Sequence, residues 1–132
     1  NKVQEALLKW KLILENNNSL MLHLVGNLQT NKVADALKIF SFIHSLDREK
    51  LAISLKKEED KTSKKIKYFI QINLEKELHK SGINPTEACE FIDYCKNELN
   101  SHQNHKLNRL IELIVANYLN LLLVLSFFWE DQ

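Results

Sequence analysis

A continuous apolar run that ends at a glycine constrains the fold of this chain most strongly. Residues 20–25 read Leu-Met-Leu-His-Leu-Val, and Gly26, one of only two glycines in the chain, follows directly. The run is too short for a stand-alone helix, and the amide side chains after it lead into a helical pattern. This order is typical of a strand, apolar because both its faces are covered, that passes into a helix in an α/β unit. Such folds place their ligands in the loop at this junction.

Helical and extended patterns alternate along the first hundred residues. Apolar residues at spacings of three and four predict a first helix, and a run rich in β-branched and aromatic residues predicts the clearest strand, over 66–74. The other predicted strands are 20–25 and 41–46, and the other predicted helices begin near Gln29, Asp47 and Asn84. The last two residues are predicted N-caps. Alternation of this kind predicts right-handed crossovers and a parallel sheet, whereas an all-α fold conflicts with residues 66–74.

Charge and cysteine content exclude several classes of protein. The chain has 18 basic and 17 acidic residues, a formal net charge of +1, which provides no overall field for nucleic acid or a membrane surface. The charged run 56–65 contains both signs and is predicted to end the third helix and form a solvated loop. Cys89 and Cys95 lack metal-site spacing, so we expect free thiols in a reducing cytoplasm. The polar first residues do not resemble a secretory signal.

Four blocks, in order, resemble motifs of one family. Residues 1–5, Asn-Lys-Val-Gln-Glu, resemble the end of a Gly-Glu-Asn-x-x-Gln-Glu motif, and residues 23–32 resemble a His-x-Ile-Gly-x-Leu-Gln-x-Asn-Lys signature. Residues 43–47, Ile-His-Ser-Leu-Asp, form the third block. Gln-Ile-Asn at 71–73, followed by Lys-Ser-Gly-Ile at 80–83, forms the fourth. Together the blocks resemble the pyridoxal-phosphate homeostasis proteins, single-domain barrels related to the alanine racemase N-terminal domain.

This resemblance implies a (β/α)8 TIM-type barrel that holds pyridoxal 5′-phosphate (PLP) at the C-terminal mouth of its strands, as a carrier rather than an enzyme. A barrel of this type needs about 250 residues, and the chain has 132, so the expectation is a partial barrel that is truncated at both ends. The family's Schiff-base lysine lies upstream of the Gly-Glu-Asn block, and no residue here matches it. The closing glycine-rich phosphate blocks are also absent. A racemase-like enzyme is therefore a weaker alternative, supported by fold analogy alone.

The resemblance places the cofactor contacts at Asn1, His23 and Asn73. Each has a competing structural interpretation, because Asn1 is the first residue, a histidine in an apolar strand is commonly a core residue bonded to backbone, and Asn73 ends a strand. Gly26 is interpreted as a backbone requirement of its turn, and Lys80 as an exposed loop lysine that could attract a phosphate. The amide residues that line the mouth or, as we favour, cap the following helix are Asn27, Gln29 and Asn31.

No family block appears in residues 101–132, so the chain divides into a barrel segment, 1–100, and an apolar tail, 101–132. A membrane span needs about 20 predominantly apolar residues, and Leu119–Trp129 is too short for a stable one. The tail is interpreted as a packed amphipathic helix, a weakly membrane-associating segment or the product of a reading-frame shift. An alternative function is a non-enzymatic interaction module whose Leu-rich tail covers an open sheet edge, with self-association through exposed edges.

Overall fold

The computed structural model describes residues 2–64, 66–74, 81–100, 111–117 and 121–125. Helices and strands alternate through most of this range, as the sequence predicts. The elements are α1 (Lys2–Asn16), β1 (Leu22–Leu24), a 3-10 turn (Thr30–Lys32), α2 (Val33–Ile39), β2 (Phe40–Leu46), α3 (Glu49–Thr62), β3 (Lys67–Asn73), α4 (Ala88–Asn100), β4 (Ile111–Asn117) and β5 (Leu121–Leu125).

The strands form one sheet in the order β1-β2-β3-β4-β5. β1, β2, β3 and β4 run parallel to one another, and β5 alone runs antiparallel, beside β4. The predicted parallel α/β arrangement is confirmed for the three predicted strands, including the strand predicted over residues 66–74, and β4, which was not predicted, continues it. A (β/α)8 barrel contains only parallel strands, so β5 departs from that pattern.

The core lies between the helices and one face of the sheet. Alternate residues of β3, Tyr68, Ile70 and Ile72, belong to this cluster, as does Ile43 of β2. Period-two alternation places these side chains on one face, where the helices cover them. The helical residues of the cluster are Val3, Val33, Ala36, Leu37, Ile39, Leu51, Ala52, Leu55, Ala88, Phe91 and Cys95. The intervening residues of β2 and β3 therefore point to the opposite face, which carries the candidate site.

The predicted C-terminal helix is wrong where the structure describes that segment. Residues 111–117 and 121–125 are strands β4 and β5. Their sequences, Ile-Glu-Leu-Ile-Val-Ala-Asn and Leu-Leu-Leu-Val-Leu, combine β-branched residues with a short apolar run, which also fits a strand. The rest of the predicted tail, 101–110, 118–120 and 126–132, lies outside the described residues.

β1 is not covered on both faces, contrary to the prediction. It is an edge strand, and the flanking Met21 and Val25 side chains are 65% and 64% exposed. Its apolar sequence thus reflects packing on one face only, through Leu24. Gly26 also differs from the expectation, because its φ is not in the left-handed region and a Cβ there would meet no atom within 4 Å.

Helix α3 continues through much of the charged run that was predicted to form a loop, and ends at Thr62. Within it Glu59 is buried, and its Oε1 accepts a hydrogen bond from the Ile66 backbone N–H at 3.0 Å. The predicted N-cap at Asp47 is wrong, because Arg48 occupies that position without a side-chain cap bond. Asn84 does stabilise the turn before α4, since its Oδ1 accepts from the Thr86 N–H at 3.1 Å.

The two cysteines are free thiols, as predicted, and they differ in environment. Cys89 is exposed, whereas Cys95 is fully buried, and burial, with the nearby Glu49 charge, raises the pKa of Cys95 to about 12. Only about one Cys95 thiol in ten thousand is then a thiolate at pH 8. We expect iodoacetamide to label Cys89 at least ~100-fold faster than Cys95 in the native protein. Peptide mass spectrometry measures both rates; equal native rates would contradict the α4 packing, and in urea the two should converge.

Candidate functional site

Two loops meet at the carboxyl end of the sheet. The Asn27 side-chain amide, in the loop after β1, donates a hydrogen bond to the Ser81 hydroxyl, in the loop after β3. Gln71 Nε2 of β3 donates to the Ser81 backbone carbonyl at 3.4 Å. We call Asn27, Gln71 and Ser81 the Ser81 cluster. It lies where parallel α/β folds bind ligands, because the carboxyl ends of parallel strands open into the loops there.

Gly82 lets the loop after β3 fold back onto the strand. Its φ is +118°, and a Cβ at this position would lie 2.9 Å from the Asn73 backbone N. The returning chain exchanges backbone hydrogen bonds with β3, from Asn73 N–H to Ile83 O and from Ile83 N–H to Gln71 O, both 2.8 Å. Only glycine combines this backbone conformation with so close an approach. The loop conformation that presents Ser81 thus depends on Gly82.

Aromatic and imidazole rings form a ladder across β1, β2 and β3. His23 stacks on Phe42, with ring centroids 4.1 Å apart, and His44 stacks on Phe69 at 4.2 Å. The Lys67 ammonium lies over the Phe42 ring at 5.3 Å from its centroid, a cation–π distance. Phe69 is buried but lies outside the helix-side core cluster. These five residues, the ring ladder, define the face of the sheet opposite the helices.

The two histidines of the ring ladder are hydrogen bonded to each other. His23 Nδ1 and His44 Nε2 are 2.9 Å apart. Burial lowers the pKa of His44, and the charge of His23 lowers it further. The other ring nitrogen of His44, Nδ1, is buried and has no hydrogen-bond partner. Gln71 Oε1 is also buried without a hydrogen-bond partner. Unpartnered buried polar atoms are uncommon, so this part of the face is incompletely satisfied.

His44 makes stability depend on pH in a defined window. Because its folded-state pKa lies below the ordinary value near 6.5, the unfolded chain binds more protons between these two pKa values. Stability is therefore highest above pH 6.5 and falls as the pH decreases towards the lowered pKa. We expect His44→Phe to reduce this loss. Urea titrations of both proteins at pH 7.5 and 5.5 test it; an identical loss in the two proteins would contradict the assignment.

The two predicted cofactor contacts that the structure describes, His23 and Asn73, do not meet at one point. Asn1 and Lys80 lie outside the described residues. His23 is level with Phe42 and Lys67 in the strand register. Asn73 lies six residues beyond Lys67 on β3, about 20 Å further at ~3.3 Å per residue. Both residues lie near the carboxyl ends of their own strands, so the edge of the sheet is oblique. His23 is hydrogen bonded to a second histidine ring. The competing interpretation, a core histidine bonded to backbone, therefore does not describe it.

The predicted capping role of the amide residues after Gly26 is also wrong. Asn27 binds Ser81 instead, and Gln29 is an N-cap without a side-chain cap bond. Asn31 lies exposed in the 3-10 turn. The capping preference failed because local sequence does not show that the Ser81 loop lies nearby.

Sequence reasoning missed three residues of the site: His44, Gln71 and Ser81. His44 lies in the predicted 41–46 strand, and its spacing of two from Phe42 places both residues on one face of that strand. Gln71 and Ser81 lie within the fourth sequence block, but nothing in their spacing shows that they are hydrogen-bonded neighbours. Among the described residues, no three His, Cys, Asp or Glu side chains form a group that could hold a metal ion. No helix in the described ranges is long and apolar enough to cross a membrane.

Curated relatives of this chain are pyridoxal phosphate homeostasis proteins. The protein from Pasteurella multocida is 34% identical over 97 residues, 74% of this chain and 42% of the relative. The Vibrio cholerae protein is 35% identical over 89 residues, 66% of this chain and 38% of the relative. The Aquifex aeolicus protein is 35% identical over 94 residues, 71% of this chain and 40% of the relative. The chain thus spans about two fifths of the length of these relatives. No protein-family model matches it.

Solved structures agree with this relationship. PipY of Synechococcus elongatus without PLP superimposes with a TM-score of 0.67 at 31% identity, covering 78% of this chain and 47% of PipY. PipY with PLP bound gives a TM-score of 0.69 at 29% identity, covering 92% and 52%. The resemblance seen in the four sequence blocks is therefore confirmed: over the matched stretch this chain is similar to the pyridoxal phosphate homeostasis proteins and to PipY, which has been solved with PLP bound.

Proposed function

We propose that this chain is a segment of a PLP-binding (β/α) barrel that carries the cofactor without catalysing a reaction. The observation that carries the proposal is the position of the Ser81 cluster at the carboxyl ends of parallel strands, in a chain similar to PipY. The four parallel strands and their oblique carboxyl edge support a partial barrel, because barrel strands are tilted and staggered. The two free cysteines support a reducing, cytoplasmic location.

The described residues fit the ring of PLP better than its phosphate. The unpartnered atoms His44 Nδ1 and Gln71 Oε1 offer hydrogen bonds beside aromatic surface. Asn73 stays a proposed direct contact at this end of β3, whereas His23 is proposed to act on the cofactor through His44. A basic side chain near the end of β2, Arg48, is already bound to the Asp47 carboxylate and, at 2.7 Å, to the Leu28 carbonyl. When bound, PLP supplies an electrophilic aldehyde. The residues assigned here would orient it by hydrogen bonds, and we expect weak binding.

We further propose that the cofactor is held without a covalent Schiff-base link. This rests on the placement of the lysine that the structure describes on the site face. Lys67, a lysine on the site face, lies at the start of β3, whereas the Ser81 cluster lies beyond its other end. A lysine adduct has a visible absorption band and is fixed by borohydride. We expect neither when the chain is mixed with PLP, and a borohydride-fixed adduct on one lysine would overturn the proposal.

Equilibrium dialysis with PLP tests the binding itself. We expect saturable, reversible binding that Asn73→Ala weakens about tenfold, the effect of about one hydrogen bond. Asn18→Ala, in the exposed turn after α1, is the matched control and should bind as the unchanged chain does. Absence of saturable binding, or equal weakening by the two substitutions, would contradict a site at the carboxyl end of β3.

β5 favours a second candidate function, a non-enzymatic interaction module. This Leu-rich strand pairs with β4 over five register positions, from Leu113 with Leu125 to Asn117 with Leu121, and so covers one edge of the sheet. The edge at β1 is then the place for a partner strand or a second copy of the chain. Size-exclusion chromatography with light scattering separates the candidates, because a concentration-independent monomer that binds PLP excludes a partner-seeking edge.

A further inference from the structure

We propose that Gln71 and His44 are positioning residues for His23 and that the three side chains form a hydrogen-bonded proton relay. When the relay takes up one proton, a new hydrogen bond forms between His44 Nδ1 and Gln71 Oε1. The relay starts at the exposed ring of His23 and continues through the 2.9 Å hydrogen bond between His23 Nδ1 and His44 Nε2. It ends at Gln71, whose Nε2 donates to the Ser81 carbonyl. It therefore connects the ring ladder with the Ser81 cluster.

The contact between the rings fixes how many protons the pair can carry. One proton must lie between His23 Nδ1 and His44 Nε2, because two N–H groups pointing at each other form no hydrogen bond. A neutral pair has one further proton, on His23 Nε2 or on His44 Nδ1. A buried N–H without an acceptor is rarer than an unpaired acceptor. Since His44 Nδ1 is buried without a partner, the neutral pair keeps this proton on His23, and His44 donates from Nε2.

A charged pair differs in one respect. It holds the shared proton and a proton on both outer nitrogens, whichever ring carries the charge. The proton that is added to the neutral pair therefore ends on His44 Nδ1, which then needs an acceptor. Gln71 Oε1 is the acceptor that the structure offers, because it is also buried and unpartnered. Gln71 follows Phe69 by two residues, so the two side chains lie on the same face of β3, and the Phe69 ring stacks on His44.

Closing the new bond affects the loop after β3. The Gln71 side chain has one amide group, so turning Oε1 towards His44 moves Nε2 relative to the Ser81 carbonyl, where the present bond is long at 3.4 Å. Other described charged groups on these strands are Lys67, over Phe42, and the Asp47–Arg48 ion pair beyond the end of β2. On β4, Glu112 is the register partner of Phe69. Charging the pair thus couples a proton at the ring ladder to the position of Ser81.

Nitrogen-15 NMR of the histidine rings tests this proposal on the whole chain. In the unchanged protein above pH 7.5, we expect the proton of His44 on Nε2 and that of His23 on Nε2. Gln71→Leu should lower the pH of half-titration of His44 by about 0.5 to 1, the effect of one lost hydrogen bond. Gln71→Glu should raise it, because a carboxylate is a stronger acceptor. Gln4→Leu, at an exposed position of α1, is the control and should leave it unchanged.

A neutral His44 protonated on Nδ1 would overturn the proposal without any variant. So would a Gln71→Leu protein that remains folded and titrates as the unchanged chain does. If Gln71→Leu fails to fold, Gln71→Glu decides, since an unchanged or lowered half-titration pH there contradicts Gln71 as the acceptor. The part of His23 in cofactor binding rests on the proposed function, whereas the proton relay does not. Failure to bind PLP would remove the former, and an unchanged titration would remove the latter.

Discussion

Replacing Ile70 with alanine is expected to destabilise the chain by about 2–5 kcal/mol. Ile70 is fully buried at the middle of β3, the central strand of the sheet, and belongs to the core beneath the helices. The substitution removes apolar area and leaves a cavity that the parallel strands on both sides cannot easily fill. Because a domain of this size is stable by only about 5–15 kcal/mol, a large part of the stability should be lost. Urea denaturation followed by circular dichroism measures it.

Ile53→Ala is the matched control for this prediction. Ile53 lies on α3 and is 42% exposed, so the same chemical change there should alter stability by less than about 0.5 kcal/mol. Alanine is also the better helix former, which offsets the lost contact. Equal effects of the two substitutions would mean that β3 is not the buried centre of the sheet.

Replacing Gly82 with alanine is expected to cost about 1–3 kcal/mol and to displace the loop that carries Ser81. The new Cβ would lie 2.9 Å from the Asn73 N and 3.1 Å from the Ile72 carbonyl carbon, both backbone atoms of β3 that cannot move aside. The φ of +118° adds strain for any residue with a Cβ. Thermal unfolding measures the cost, and loss of protection of the Ile83 amide from hydrogen exchange reports the displaced loop.

The other glycine provides the control, because Gly26→Ala meets no atom within 4 Å and needs no left-handed backbone. It should be neutral or stabilise the chain by about 0.4–1 kcal/mol through the unfolded state. If Gly82→Ala proves as harmless as Gly26→Ala, the return of the loop onto β3 is wrong.

Some elements are determined by local sequence and others by packing against distant segments. The 66–74 strand was predictable, because its β-branched and aromatic residues describe a buried strand without reference to other segments. The exposed flanks of β1 were not, since an apolar run does not show whether its strand lies at the edge or in the middle of a sheet. The buried Glu59 was hidden for the same reason, because its partner, the Ile66 N–H, lies beyond the end of the helix.

The candidate site was predictable only in part. Sequence blocks placed His23 and Asn73 on strands that end at one edge of the sheet. They could not show that the edge is oblique, so that these two residues lie far apart, nor that His44 is the partner of His23. That pair depends on the register between β1 and β2, which includes an irregularity between Leu22 and His23. Register of this kind is decided by packing of the whole sheet rather than by either strand.

The most direct test of a ligand site at the carboxyl end of parallel strands is the backbone amide NMR spectrum during a titration with PLP. We expect saturable shifts at Asn27, Gln71, Asn73, Ser81 and Gly82, which share that edge, and little change along α1 and α3 on the far side of the sheet. Saturable shifts confined to those helices would contradict the account, as would a spectrum that PLP leaves unchanged.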